Sequence, residues 1–252
     1  MEASRAERAT SFGSVASDYD RYRPAPPLAA AEWLLPAGAR VVADVAAGTG
    51  GFTRVIARLV RHVVAVELDL RMARQLRAPS PRVAVVNGRA ESLPLRSGCL
   101  DAVVVCSAWH WLDEGPAVRE MARVLRPGGF LGVVWGGPNR DLDWVRELLS
   151  WGREADADRP RPRRQLTIPE GMPFSEPETR VVEWTVMRTP ADLVGLAGTY
   201  SRVITSTAPE RQSVAARAAA VLAGTRHLHG QDSIELPMSA RCWRSVRLAT
   251  AD

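Results

Sequence analysis

The sequence predicts an α/β fold built on a mostly parallel sheet with helices on both faces. From residue 41 onward, short Val-rich apolar runs alternate with segments in which apolar residues recur every three or four positions. Strands that are apolar throughout, rather than on alternate residues, are typical of parallel sheets covered on both faces. Because 46% of the 252 residues are hydrophobic, the chain can bury one sizeable core, and we expect a single α/β domain with insertions.

Five strands are predicted in the first half of the chain, each a short apolar run bounded by turn residues. They read "RVVADVA" (40–46), "HVVAVEL" (62–68), "RVAVVNG" (82–88), "LDAVVVCSA" (100–108) and "GFLGVVW" (129–135). The segments with helical spacing between them are "GGFTRVIARLV" (50–60), "DLRMARQLR" (69–77) and "GPAVREMARVLR" (115–126). The turn "RPGG" (126–129) should end the third of these helices, because helices stop at Pro and Gly.

The second half of the chain follows a different pattern. Residues 152–180 are rich in Arg, Pro and Glu with little periodicity, which favours an irregular insertion over a separate domain. Two further runs, "RVVEWTVMR" (180–188) and "DSIELPMSARCWRSVRL" (232–248), alternate in character and predict an antiparallel closing pair of strands. Helices are expected between them at about 190–204 and 208–223.

The charge distribution argues against nucleic acid as a partner. All 33 basic residues are Arg, and they are spread along the chain among 28 acidic residues, although the net charge is +5. A surface that follows a phosphate backbone needs its basic residues gathered on one face. The densest run, "RPRPRR" (159–164), alternates with Pro and is typical of an extended, solvated linker or lid.

Cysteine usage and hydropathy indicate the compartment. Cys99, Cys106 and Cys242 lack metal-ligand spacing, so we expect no metal site and interpret them as reduced residues. No stretch approaches the roughly 20 apolar residues that span a bilayer, and the first residues contain no apolar secretory segment. We therefore expect a soluble, cytoplasmic protein with no membrane partner.

Residues 44–51, "DVAAGTGG", form a turn rich in small residues, which lets a backbone approach a ligand closely. An ATP-type phosphate loop is excluded because it needs a Lys, and the chain has none. The dinucleotide fingerprint Gly-x-Gly-x-x-Gly is met only in part. One register gives Ala46, Gly48 and Gly51, and the other places Thr53 where the last Gly should stand.

A third pattern fits this turn better, namely an acidic residue inside the first strand followed by Gly-x-Gly. Asp44 precedes Gly48 and Gly50, whose lack of side chains lets the turn pack against a ligand. Glu67 ends the second strand, where an acidic side chain can accept hydrogen bonds from both hydroxyls of a ribose. We favour this role for Glu67 over that of an ordinary surface carboxylate.

Five segments follow one another along almost the whole chain: "SFGSVASDYDRYRP", "VADVAAGTGGFT", "VVAVELD", "NGRAESLPLRSGCLDAVVVCSAWHWLD" and "EMARVLRPGGFLGVV". In this order they resemble the class I S-adenosylmethionine-dependent methyltransferases. The resemblance is to the branch that includes the ubiquinone/menaquinone-biosynthesis and trans-aconitate enzymes. Each segment alone is a weak signal, whereas all five in family order make a strong one.

The resemblance implies a Rossmann-like, seven-stranded sheet, mostly parallel with an antiparallel closing strand and flanked by helices. Residues 1–35 would form an N-terminal lid. Residues 36–252 would form the methyltransferase domain, with substrate-cap insertions at about 140–175 and 190–230. The cofactor would be S-adenosyl-L-methionine, with S-adenosyl-L-homocysteine as its product, and the chain would act as a monomer or a homodimer.

The resemblance also assigns cofactor contacts to the lid and to the loops after the first four strands. Met72, after Glu67, would flank the adenine, or pack in the core. Arg89 stands where the family frequently has Asp, so adenine recognition there would depend on the backbone of Ala90. Arg23 of the lid would pair with the carboxylate of the cofactor. The candidate cofactor contacts are Tyr19, Arg23, Asp44, Ala46, Gly48, Gly50, Glu67, Leu68, Met72, Arg89, Ala90, Glu91 and Ser107.

The segment "SAWHWLD" (107–113) follows the fourth strand, at the sheet edge where parallel sheets bind ligands. We expect Trp109 and Trp111 to form a wall for the methyl acceptor, which favours an apolar or aromatic metabolite such as those of secondary metabolism. His110 is either a general base for a hydroxyl or carbon acid, or a structural loop residue. The other candidate substrate contacts are Tyr22, Trp144 and Tyr200.

Two other functions compete with methyl transfer. A nicotinamide-dependent oxidoreductase would share the sheet and the acidic ribose ligand, but it should have a fuller glycine fingerprint. A protein with the methyltransferase fold could also use its cofactor for another reaction or only bind a partner, because a fold does not fix a function.

Overall fold

A computed structural model of the protein describes residues 12–77, 83–150 and 165–249. Within these residues, seven strands form one sheet in the order β3-β2-β1-β4-β5-β7-β6. The strands are β1 (Val41–Val45), β2 (His62–Glu67), β3 (Val83–Asn87), β4 (Leu100–Cys106), β5 (Leu125–Pro138), β6 (Glu178–Arg188) and β7 (Ile234–Val246). The predicted fold class, a mostly parallel seven-stranded sheet flanked by helices, is confirmed.

The first five strands are parallel, and β1 is the central one of these five. Asp44 of β1 is opposite Ala65 of β2 on one side and Val104 of β4 on the other. The chain runs outward from β1 to β3 and then returns to place β4 on the free side of β1. Ligands of such sheets bind outside the carboxyl ends of the strands where this order reverses. A ligand site is therefore expected at the carboxyl ends of β1 and β4.

Strand β7, which lies between β5 and the edge strand β6, runs antiparallel to β5, as predicted. The N–H of Gly128 donates to the carbonyl of Arg247, and further along β5 the N–H of Asn139 donates to the carbonyl of Pro237. Residue numbers rise along β5 while they fall along β7, so the two strands run in opposite directions.

The helices follow the predicted spacing, although their ends differ. The described residues contain nine α-helices: α1 (Ala16–Tyr22), α2 (Leu28–Leu34), α3 (Gly51–Ile56), α4 (Leu70–Arg77), α5 (Glu114–Val124), α6 (Asp143–Leu148), α7 (Pro190–Gly198), α8 (Ser201–Ile204) and α9 (Ala208–Gly224). No described helix combines the length and the apolar composition that crossing a bilayer requires.

The "RPGG" turn lies inside β5, and this differs from the expectation that it separates a helix from a strand. Helix α5 already ends at Val124, and β5 begins at Leu125, which is paired with Leu100. The register of β4 and β5 then shifts before Ala102. Gly128 has a φ of 81°, in the left-handed region that Gly tolerates best. The turn is thus absorbed as an irregularity of the strand.

The chain divides into two compact units. The described part of the first, which we call the sheet unit, comprises residues 25–77, 83–136, 165–182 and 240–249. The described part of the second, the helical unit, comprises residues 12–24, 137–150 and 183–239. Each unit has its own cluster of buried apolar side chains. Helix α2, which the sequence assigned to the lid, belongs to the sheet unit.

Candidate cofactor site and neighbouring aromatic residues

The turn after β1 is bent at three positions. Ala46, Gly48 and Gly50 all have a positive φ, of 57°, 59° and 82°. The N–H of Ala47 donates to the carbonyl of Val66, which ties the turn to β2. A left-handed conformation costs a residue with a Cβ roughly 1 to 2 kcal/mol. Ala46 therefore holds strain that Gly would not, and such strain is often found at ligand sites.

The two glycines of the turn are required for different reasons. A Cβ on Gly50 would lie 2.5 Å from Cγ of Leu76, so the absence of a side chain lets helix α4 pack against the turn. A Cβ on Gly48 would meet only Cε of Met72, at an ordinary 3.5 Å. Gly50 thus serves packing, whereas Gly48 lies where a ligand can approach the backbone. Met72 is buried beside the turn.

Asp44 is a fully buried carboxyl group on the central strand. Its Oδ2 accepts a hydrogen bond of 2.5 Å from the hydroxyl of Thr53. Its Oδ1 is buried and has no hydrogen-bond partner among the described residues. The pKa of Asp44 is raised to about 7, chiefly by burial; the Thr53 hydrogen bond lowers it and the charge of Glu67 adds a smaller rise. A buried acceptor left unsatisfied indicates a missing donor.

Glu67, at the end of β2, is held by the backbone on both of its oxygens. Oε2 accepts from the N–H of Gly48 at 2.7 Å, and Oε1 accepts from the N–H of Asp69 at 2.8 Å. The side chain is nearly buried, and burial raises its pKa although these hydrogen bonds lower it. The two bonds fix the carboxylate next to the glycine turn. Leu68, which follows, is 49% exposed and presents apolar surface.

The loop after β3 joins the cofactor side of the sheet to the loop after β4. Arg89 pairs with Glu91, with 3.4 Å between Nε and Oε2, and Ala90 between them is buried. The other oxygen of Glu91 accepts from the N–H of Asp113 at 2.9 Å. Glu91 is therefore engaged in holding the two loops together. Sequence reasoning missed Asn87, whose amide donates to the carbonyls of Glu67 and Leu68.

At the end of β4 the chain turns sharply. Ser107 has a φ of 56°, and its N–H donates to the carbonyl of Val134 at 2.7 Å. A single turn of 3-10 helix, Trp109–Trp111, follows. Trp109 is fully buried in the core of the sheet unit, and its Nε1 has no hydrogen-bond partner among the described residues. This differs from the expected open wall, because the apolar core takes up the whole indole.

His110 and Trp111 are only partly buried, and the structure adds a third aromatic residue beside them. Nε1 of Trp135, near the end of β5, lies 3.5 Å from Nδ1 of His110 and donates to it. The rings of His110 and Trp111 are 4.5 Å apart between centroids. Sequence reasoning did not select Trp135, although it ends the predicted strand beside β4. The signal was its position, since strand ends on both sides of a reversal face the same crevice.

The candidate residues of the helical unit are engaged with one another. Nε of Arg23 donates to the hydroxyl of Thr199 at 3.0 Å, and Nη2 donates to the carbonyl of the same residue at 3.1 Å. The guanidinium also lies over the rings of Tyr19 and Tyr200, at 5.1 and 4.1 Å from their centroids. Arg23 thus ties the segment after α1 to the end of helix α7.

The other two aromatic candidates of the helical unit also lie against its helices. The ring of Tyr22 packs on the backbone of α7, where a Cβ on Gly195 would come within 2.5 Å of it. Trp144 meets His227 edge to face, with 6.4 Å between ring centroids. Both residues border the core of this unit.

Comparison with known proteins assigns the family. A family model described as a methyltransferase domain matches residues 43–133. An uncharacterized methyltransferase of Mycobacterium tuberculosis is 42% identical over 247 residues, which cover 98% of this chain and 99% of the relative. A malonyl-[acyl-carrier protein] O-methyltransferase of Pectobacterium atrosepticum is 32% identical over 135 residues, 49% of this chain and 50% of that protein.

A solved structure gives the same result for the fold. It is provisionally described as a type II methyltransferase of Anaeromyxobacter dehalogenans, and it is 26% identical with a TM-score of 0.70, covering 91% of this chain and 100% of that one. The sheet order and these similarities define an α/β methyltransferase. The chain belongs to the class I S-adenosylmethionine-dependent methyltransferases.

Proposed function

We propose that this chain transfers the methyl group of S-adenosylmethionine to a small molecule with apolar or aromatic surface. The pair of nearly buried carboxylates at the ends of β1 and β2 is the observation that carries the proposal. Asp44 has a buried oxygen without a partner in the described part of the chain, and Glu67 is fastened beside the glycine turn by two backbone N–H groups. Such groups suit a cofactor with hydroxyl groups and positive charge.

The residues of the sheet unit fit the groups of this cofactor. A carboxylate offers about four acceptor positions, so Glu67 can still accept from two ribose hydroxyls after binding Gly48 and Asp69. The unpartnered Oδ1 of Asp44 suits an ammonium group, or a water bound to one. Leu68 and Met72 offer apolar surface for an adenine ring. These assignments need no side chain from outside the sheet unit.

The chemistry asks little of the protein beyond positioning. When bound, the cofactor would supply a methyl group on a positively charged sulfur. A lone pair of the acceptor would bond to the methyl carbon, and the electron pair of the carbon–sulfur bond would stay on sulfur. The protein must hold the acceptor in line and exclude water. Trp111, which is partly exposed, provides aromatic surface for that purpose. An acceptor that carries a proton would need a base, for which His110 is the candidate.

The helical unit supplies the remaining candidate contacts in this proposal. We assign Tyr22, Trp144 and Tyr200 to the acceptor, and Tyr19 and Arg23 to the carboxylate of the cofactor. The segment at residues 12–24 would then close over bound cofactor. Hydrogen exchange of this segment with and without S-adenosylmethionine tests the assignment. Slower exchange with the cofactor is expected, and equal exchange in both states would count against a lid.

The proposed activity is tested with S-adenosylmethionine that carries an isotopically labelled methyl group. The protein is incubated with this cofactor and a fractionated extract of small molecules. Label in a small-molecule product, with one equivalent of S-adenosylhomocysteine, is the expected result, and Glu67→Ala at subsaturating cofactor is the control with reduced activity. Label in protein or nucleic acid would contradict the substrate class. Loss of the cofactor without transfer of label would favour another reaction, and binding of a nicotinamide cofactor instead would favour an oxidoreductase.

A further inference from the structure

We propose that Trp135 fixes the tautomer of His110, so that neutral His110 carries its proton on Nε2 and acts on the acceptor as a hydrogen-bond donor, not as a general base. This inference rests on the proposed function only in its second part, the role toward the acceptor. Its first part is a statement about the two side chains. Trp135 would then be a positioning residue for the transfer.

The direction of one hydrogen bond sets the tautomer of His110. An indole Nε1 always carries its hydrogen and can only donate, so the bond of 3.5 Å between Trp135 and His110 must run from the tryptophan to Nδ1. A neutral imidazole has one donor nitrogen and one acceptor nitrogen. Because Nδ1 accepts, the proton of neutral His110 is on Nε2. The hydrogen bond made by one ring nitrogen generally sets the state of the other.

The surroundings of Trp135 make this arrangement rigid. Trp135 is almost fully buried in the core of the sheet unit, and Trp243 of β7 meets it edge to face, with 5.0 Å between ring centroids. On the other side, the rings of His110 and Trp111 are in contact. A buried donor also costs free energy when it is left without an acceptor, which keeps the indole N–H directed at Nδ1.

The tautomer has a consequence for the acceptor. A general base must offer a lone pair to the proton that it removes, and in this tautomer the lone pair of His110 already accepts from Trp135. The imidazole instead offers an N–H, which favours an acceptor oxygen that is ionised in water, such as a carboxylate. Its lone pair forms the bond to the methyl carbon, the carbon–sulfur pair stays on sulfur, and no proton moves. The products are a methyl ester and S-adenosylhomocysteine.

Nuclear magnetic resonance of the full-length protein with 15N-labelled histidine tests the tautomer without any substrate. The chain has four His, and the signals of His110 are those that disappear in His110→Gln. The expected result for neutral His110 is a protonated Nε2 and an unprotonated Nδ1. A protonated Nδ1 would overturn the proposal. Because no methyl transfer is measured, this outcome is independent of whether the proposed activity is correct.

Two matched variants test the part played by Trp135. Trp135→Phe keeps an aromatic ring but removes the N–H, and it should shift His110 toward the mixture of tautomers found for free imidazole. Trp243→Phe alters the same aromatic cluster without touching the hydrogen bond, and the tautomer should stay as in the wild type. If Trp135→Phe also left the tautomer unchanged, Trp135 would not be its determinant.

The donor role has its own readout once an acceptor is known. Gln can donate from its side-chain amide, so His110→Gln should keep kcat within about tenfold of the wild type, whereas His110→Ala should lose about a hundredfold. A general base contributes typically 10² to 10⁴, and Gln cannot replace it. Equal losses of a hundredfold or more in both variants would overturn the donor role.

Discussion

In the sheet unit, the turn after β1 places Ala46, Gly48 and Gly50 at positive φ and leaves an oxygen of Asp44 buried without a partner among the described residues. In the helical unit, Arg23 is bonded twice to Thr199 and lies over two tyrosine rings. The sheet unit thus contains strained backbone and a buried oxygen without a partner among the described residues. In the helical unit, the polar groups of Arg23 and Thr199 are paired with each other.

This difference indicates where each unit meets its ligand. Strained backbone and unsatisfied buried acceptors cost stability, so they persist where a ligand makes use of them. Two helices of the helical unit have their first turns satisfied by capping side chains. Thr189 and Asp192 cap α7 reciprocally, and Thr207 and Glu210 do so for α9. These polar side chains of the helical unit are therefore satisfied by local partners.

The largest expected effect is at the turn of the sheet unit. Gly50→Ala adds a Cβ that would lie 2.5 Å from Cγ of Leu76, at a φ of 82°. Overpacking costs typically 1 to 3 kcal/mol and left-handed Ala roughly 1 to 2, offset in part by a less flexible unfolded chain. We expect the free energy of unfolding to fall by about 3 kcal/mol, measured by urea denaturation. A loss below about 1 kcal/mol would mean that the turn is not packed as described.

The second effect is the pH dependence of stability that comes from the buried carboxyl group of Asp44. Its sign is opposite to that of an ordinary paired carboxylate, because the pKa of Asp44 is raised in the folded state. The pKa of Asp44 is raised from 3.8 to about 7, so the folded state binds its proton more tightly than the unfolded state. Its stabilising contribution is fully present below about pH 4 and is lost as the pH rises through about 7. The rise in pKa corresponds to at most ~4 kcal/mol. An Asn amide left without an acceptor would offset about 1 to 3 kcal/mol of that.

Asp44→Asn should therefore stabilise the cofactor-free protein at pH 8 by about 1 to 2 kcal/mol and weaken its binding of S-adenosylmethionine. The gain in stability should disappear at pH 4. Denaturation at the two pH values and calorimetric titration check both halves. A variant that is less stable than the wild type at pH 8, or that binds the cofactor equally well, would contradict the idea that Asp44 is kept for the ligand.

The smallest effect is expected in the helical unit. Gly195→Ala places a Cβ against the ring of Tyr22, but this ring is partly exposed and can move aside. The free energy of unfolding should fall by about 1 kcal/mol, with no change in cofactor affinity. Gly198→Ala in the same helix meets no atom within 4 Å and should instead stabilise by about 0.5 kcal/mol. Weaker cofactor binding in Gly195→Ala would remove the contrast between the two units.

Much of the sheet unit could be predicted from the sequence, because its strands are continuous apolar runs and its turns carry glycine. The strands themselves, the antiparallel β7 and the position of Glu67 at a strand end follow from that pattern. The place of the "RPGG" turn inside β5 could not be predicted. It depends on the pairing of Leu125 with Leu100, a contact between residues distant in the chain.

Side-chain partners were less predictable than strand positions. Nothing in the local sequence distinguishes the fully buried Trp109 from the partly exposed Trp111. The burial of each indole depends on how the turn after β4 packs on the core. The bond from Trp135 to His110 joins residues 25 positions apart. Residues 1–11 of the expected lid lie outside the described residues, as do residues 152–164 of the insertion predicted at 152–180.

Calorimetric titration of S-adenosylmethionine tests most directly whether the carboxylate of Glu67 binds the cofactor in the sheet unit. Glu67→Ala is compared with Asp101→Ala, because Asp101 also accepts two backbone N–H groups, from Arg40 and Val41, at the opposite edge of the sheet. Both variants should be destabilised. Only Glu67→Ala should weaken binding, by about 1.5 to 3 kcal/mol, the scale of hydrogen bonds to a charged group. Equal affinity of Glu67→Ala and the wild type would contradict the account.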